Sequence, residues 1–199
     1  MNRCKAAAAA DVLLCPEDPE LRQYRCGVAP FDAGIEFAHH HDGASSFVYV
    51  VRAGTSTAIK VIANRAWIGP DALARFQRAP TFEMSALATR ALNEPELRYQ
   101  ELTGLFWCED GGEWQGFKAT IDGTSNLEIC KPLLQLICVG PKAYYQFAQR
   151  YHEVTPDPSA LKAIFTLTPM SQELVDSFTE ECKLSSLAKD FAELGYPLA

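Results

Sequence analysis

Phe47-Val48-Tyr49-Val50-Val51-Arg52-Ala53-Gly54-Thr55-Ser56-Thr57-Ala58-Ile59-Lys60-Val61-Ile62 is the stretch on which the fold turns. Two runs of β-branched and aromatic residues flank Gly54-Thr55-Ser56, and a glycine that supplies a positive φ between such runs is the signature of a β-hairpin. Upstream, Ile35-Glu36-Phe37 followed by a turn at Asp42-Gly43 extends the hairpin into a meander of three strands. Downstream, Gly69-Pro70 stops the strands, because glycine serves as an N-cap and proline suits the first helical position. A helix is therefore expected from Pro70 to about Gln77. Two more are expected: Phe82 to Leu92, with Met84, Leu87, Ala88 and Ala91 on one face, and Pro95 to Leu102, opened by Asn93 and closed by Gly104.

The same grammar recurs. Asp42-Gly43, Gly54-Thr55-Ser56 and Gly69-Pro70 with Ala72 and Phe76 are followed, in order, by Asp110-Gly111, Gly123-Thr124-Ser125 and Gly140-Pro141 with Ala143 and Phe147. The spacing between the copies drifts by single residues, as insertions into a duplicated unit would make it drift. Strands are expected in the second copy at Leu105 to Trp107, Trp114 to Ile121 and Leu133 to Val139. The helix from Pro141 to His152 places Tyr144, Phe147, Ala148 and Tyr151 on one stripe. Beyond it come a Pro-rich loop at 155–158, a strand at Ala163 to Leu167, and a helix from Thr168-Pro169 to about Cys182. A final helix carries Leu184, Leu187, Ala188 and Phe191 on one face and ends at Gly195, with Pro197 preventing its resumption. The expected fold class is α+β: antiparallel sheet meanders covered by helices, with internal duplication of a βββα-type unit. The expected domain plan is an N-terminal arm over 1–30 and a single domain over 31–199, built from pseudo-repeats of about 31–104 and 105–199.

Composition is that of a folded globular protein, with 48% hydrophobic and 22% charged residues over 199 positions. The net charge of −7 and the lack of any basic cluster speak against nucleic acid as a partner, since phosphate binding needs grouped Lys and Arg. Seven cysteines without a CxxC pair fit neither a secreted disulfide framework nor a zinc ribbon, so a reducing compartment is expected. Arg3 and Lys5 ahead of Ala6 to Ala10 give the first ten residues the basic, acid-free character of a mitochondrial presequence, without its serines and further arginines. Asp11 interrupts the apolar run that follows, and no run is long enough to span a bilayer. The expected location is mitochondrial or cytoplasmic, with no transmembrane segment and no secretion.

The first suspects for chemistry are His39-His40-His41-Asp42. Alternate residues of a strand share a face, so His39 and His41 could ligate one metal ion with Asp42 or a distant acid. In the duplicated register His39 falls opposite Cys108, beside Glu109 and Asp110, which would pair two half-sites. The run also precedes a turn, where solvated polar residues are ordinary. His152, at the end of an amphipathic helix, reads as a cation favoured by the helix C-terminus rather than as a base. Trp107, Cys108, Trp114 and Phe117 crowd around Asp110-Gly111-Gly112-Glu113, a binding surface or the closed end of a sheet. No GxSxG, SxxK, GxGxxG or Walker lysine is present. No catalytic, cofactor or metal residue is assigned, and no cofactor is expected. The sequence therefore predicts a non-catalytic structural or interaction subunit, partnered by other protein subunits of an assembly. The alternative is a small-molecule-binding or metal-dependent enzyme using a cleft between the pseudo-repeats.

Overall fold

A computed structural model describes residues 1–41, 45–64, 66, 68, 74, 84–97, 101–137, 140–179 and 182–199. The architecture is α+β: a six-stranded antiparallel sheet, a two-stranded ribbon and, among the described residues, seven α-helices. The sheet runs in sequence order, β1 (Tyr24–Ala29), β2 (Asp32–His41), β3 (Phe47–Ala53), β4 (Ser56–Ile62), β5 (Gly104–Cys108) and β6 (Gln115–Gly116). The ribbon pairs β7 (Thr120–Ile121) with β8 (Thr124–Ser125). The helices are α1 (Asn2–Leu14), α2 (Ala86–Asn93), α3 (Asn126–Ile137), α4 (Pro141–Tyr151), α5 (Pro158–Phe165), α6 (Gln172–Asp176) and α7 (Leu184–Leu194). None of the described helices is long and apolar enough to cross a membrane.

The decisive hairpin forms as the sequence predicts. Ala53 pairs with Ser56 across a loop of Gly54 and Thr55, and Gly54 takes φ +57°, which costs a glycine little. The register then runs from Arg52 opposite Thr57 to Phe47 opposite Ile62, and β4 pairs with β5 from Thr57 opposite Cys108 to Val61 opposite Gly104. Residues directly opposite one another share a face, so Tyr49, Val51, Ala58, Ile62, Leu105 and Trp107 present one apolar surface. That surface packs with Ala88, Ala91 and Leu92 of α2 and with Leu97 and Leu102. Gly104 points the other way, where an added Cβ would lie 2.6 Å from the Cys130 thiol of α3.

The chain divides into two compact units. Ala29–Phe37 and His41–Gln135 form the unit just described; Met1–Val28, Ala38–His40 and Leu136–Ala199 form the other. In this second unit the N-terminal segment is no loose arm. Cys4 and every residue from Ala6 to Leu13 in α1 are buried, so α1 is apolar on all sides, as a helix at the centre of a bundle must be. It packs against α5 and α7, and Tyr144, Ile164, Leu187 and Phe191 share its core. Alone, a helix of this length is marginal in water, so tertiary burial holds it. Gly195 ends α7 in the left-handed region at φ +63°, and the expected stop there is met.

Several sequence expectations change. The duplication is not confirmed: Ser56–Ile62 is a strand, whereas the matching positions after Ser125 lie in α3. The two glycine turns also differ in kind. Gly54 is the first residue of its loop, while Gly123 is the second of an Asp122-Gly123 loop in which both residues have positive φ. The strand expected at Leu133 to Val139 is instead part of α3 up to Ile137, with 138 and 139 outside the described residues. The strand expected at Ala163 to Leu167 is α5 up to Phe165, started by the Asp157 carboxylate accepting the Ala160 N–H at 2.7 Å and by Pro158 at the first helical position. Short apolar runs carry no period that separates helix from strand, and in α5 the Asp157 cap decides. The strand expected over Trp114 to Ile121 is reduced to the pairs in β6 and β7. The helix expected from Pro95 is a single 3-10 turn, Pro95–Leu97. The helix expected to reach Cys182 is α6, capped by Ser171. The helix expected over 82–92 starts at Ala86 with Ser85 as N-cap. The helix expected from Pro70 to Gln77 falls almost wholly outside the described residues.

Candidate functional site

The aromatic cluster around Asp110-Gly111-Gly112-Glu113 divides cleanly. Trp107 and Phe117 are buried in the core under the sheet, while Trp114 is 56% exposed. The turn explains the difference. Asp110 and Gly111 both take positive φ, the Gly112 N–H donates to Glu109 O at 2.8 Å, and the Cys108 thiol donates to Gly112 O at 3.1 Å. The chain re-enters the sheet at Gln115, opposite Trp107, so Trp114 is left just before the strand. Trp114 borders a groove of about 630 Å³ with Phe106, Gly116, Phe117 and Asn126 along it and Leu127, 54% exposed, on its rim.

The groove is rigidly framed. Asn126 is 1% exposed and satisfies three backbone groups: its Oδ1 accepts the Ala119 N–H at 3.0 Å, and its Nδ2 donates to Phe117 O at 2.9 Å and to Thr103 O at 3.2 Å. Gly116 leaves room for the Phe106 ring, whose Cδ1 would lie 2.7 Å from an added Cβ. Among the described residues the one charged side chain lining the groove is Lys118, while in sequence Glu113 directly precedes Trp114 and is exposed. β6 is the last strand in the sheet order, so among the described residues no strand pairs with its outer edge.

The histidine run lies on β2, as alternation required. His40 is buried at 1% and stacks on Tyr24, ring centroids 4.3 Å apart, while His39 and His41 lie half-buried and the His41 ring sits 6.0 Å from that of Phe47. Asp42 is outside the described residues. Among the described residues no three His, Cys, Asp or Glu side chains are grouped to hold a metal ion. The paired half-site has no support either, since it needed the duplication: Asp110 accepts the Thr55 hydroxyl at 2.8 Å and Cys108 bonds its own turn.

A second constellation escaped the sequence reading. In the N-terminal unit Asp11 is fully buried, and its carboxylate accepts the N–H groups of Gln23 and Tyr24 at 2.7 and 2.8 Å and the Tyr144 hydroxyl. His152 Nε2 lies 3.4 Å from Asp11 Oδ1, and His152 Nδ1 lies 3.5 Å from the Cys15 thiol, one helical turn beyond Asp11. Burial, then the Asp11 charge, push the Cys15 thiol up, opposed by Arg22, whose Nε donates to Cys15 O at 3.0 Å. Burial and Asp11 likewise push the Tyr144 phenol far up. The signal was an acid inside an apolar helix; its partner histidine is 141 positions away in sequence and had no local mark.

Comparison of the chain with protein-family models, with curated proteins and with solved structures finds no match.

Proposed function

We propose that this chain is a non-catalytic interaction subunit of a larger protein assembly, and that the Trp114 groove receives an extended segment of a partner protein. The carrying observation is the exposed Trp114 over a pre-formed apolar groove. Tryptophan buries up to about 250 Å² when covered, so shielding its exposed half is worth about 2–3 kcal/mol to a partner. Tryptophan is among the residue types that most often carry interface energy once a partner covers and desolvates it.

The chemistry of the partner follows from the surroundings. The open edge of β6 favours a segment that adds as a strand, with an apolar or aromatic anchor in the groove. The overall charge of −7, with the exposed Glu113 next to Trp114, favours a basic protein segment over nucleic acid. The six described cysteines are all free, which supports a reducing compartment, cytoplasmic or mitochondrial. Size-exclusion chromatography of extract from the native source tests the reading. The protein is expected in a complex, and Trp114→Ala is expected to release it; elution of the wild type as a free monomer overturns the proposal.

A further inference from the structure

The geometry points to a second, chemical role in the N-terminal unit: we infer that Cys15 is a thiol that small hydroperoxides oxidise to a sulfenic acid, with His152 as its base and the Asp11 carboxylate beside the imidazole. The three side chains lie next to one another in that order. Cys15 Sγ lies 3.5 Å from His152 Nδ1, and His152 Nε2 lies 3.4 Å from Asp11 Oδ1. The other carboxylate oxygen of Asp11 is pinned by two backbone N–H groups, so the acid cannot turn away. The His152 side chain is 6% exposed and held edge-on against Phe147 and Tyr151, with interplanar angles of 87° to both. Its Nε2 makes no hydrogen bond among the described residues, although buried imidazole nitrogens are normally satisfied. A nucleophile in contact with a base, and that base beside a third orienting group, is the arrangement that activates thiols.

The environment selects the reagent. Burial keeps the thiol in its S–H form, so attack needs a base that accepts the proton as the new bond forms. Cys15 is 7% exposed, which admits a small neutral molecule and not a peptide or an acyl chain. In the step, Sγ attacks one oxygen of the hydroperoxide while its proton passes to His152 Nδ1. The O–O bond breaks, the departing oxygen takes that proton and leaves as water or an alcohol, and Cys15 becomes Cys–SOH. Sulfur loses two electrons and the peroxide gains them. The charged and titratable groups around the three are Asp11 of α1, Cys15 just past its end, Asp18 and Arg22 beside the thiol, Tyr24 and Tyr144 on Asp11, and Tyr151 beside the ring.

The test is treatment of the full chain with hydrogen peroxide, trapping with dimedone and mass spectrometry of each cysteine peptide. Cys15 is expected to be labelled at least tenfold faster than Cys26 or the half-exposed Cys182. His152→Gln is expected to slow Cys15 labelling at least tenfold and to leave Cys182 unchanged; if Cys182 also changes, the variant is misfolded and the wild-type ratio of Cys15 to Cys182 labelling alone decides. Labelling of Cys15 no faster than Cys182, or an unchanged Cys15 rate in a folded His152→Gln, overturns the inference.

Discussion

Two buried ionisable residues set the strongest demands on single positions. Lys60 is fully buried on the apolar face of β4, between Tyr49 and Leu105 in register, and its ammonium reaches Leu92 O at 3.5 Å. Burial pushes it down to about 8, partly opposed by the Glu101 charge. Its folded value lies below its unfolded one, so between about pH 8 and 10.5 the unfolded chain binds the extra proton and stability rises with pH. Below pH 8 the burial penalty is fully present. Lys60→Met is therefore expected to raise stability by about 1–3 kcal/mol at pH 7, the gain shrinking to nothing by about pH 10.5. Thermal melts of wild type and variant across that range check it; a gain that does not shrink with pH would show that packing, not charge, caused it. Asp11, by contrast, is needed where it is. Asp11→Ala leaves the buried Gln23 and Tyr24 N–H groups and the Tyr144 hydroxyl without their acceptor, and is expected to cost about 2–4 kcal/mol, read as a lower melting temperature.

At the scale of elements, the sequence was legible where a turn or cap stood next to a strong period. Gly54 between two β-branched runs gave β3 and β4, Gly140-Pro141 gave α4, and Gly195 gave the end of α7. It failed where an apolar run was short. The run from Leu133 to Val139 reads as strand, yet its part up to Ile137 belongs to a helix that carries Pro132 inside it and Asn126 at its start. The matching of glycines was also misleading, because Gly54 and Gly123 occupy different loop positions and serve different turns. The Trp114 groove was half legible, as aromatics beside a turn; which of them face outward depends on the register of β5 with β6, which the positive-φ turn at Asp110-Gly111 sets and residue types alone do not. Gly104 shows how closely elements approach. Gly104→Ala would force its methyl onto the Cys130 thiol and the Phe106 ring and is expected to cost about 1–3 kcal/mol. Pairing it with Cys130→Ala removes one of the two obstacles. The double variant is expected to be more stable than the two single losses added together by at least about 0.5 kcal/mol, measured by a thermal double-mutant cycle.

For the molecule as a whole, the proposed docking of a basic segment makes the net charge of −7 a matter of kinetics. On that reading the long-range charge would act chiefly on the association rate, whereas Trp114 and Leu127 at the groove would act on the lifetime of the complex. The two contributions separate by salt. Surface charges interact over about 10 Å at 0.1 M ionic strength and about 3 Å at 1 M, so raising salt removes steering without touching apolar burial. A peptide with one aromatic anchor flanked by lysines is therefore expected to bind the wild type with an association rate that falls about tenfold between low and high salt. Trp114→Ala is expected to speed dissociation at least tenfold at every salt concentration, because the lost contact is a desolvated ring. Glu113→Lys, on the neighbouring residue, is expected to slow association at low salt only. Surface plasmon resonance at several ionic strengths reads both rates. If Trp114→Ala changed the association rate and its salt dependence but not the dissociation rate, the ring would lie outside the contact, and the groove would not be where the partner sits.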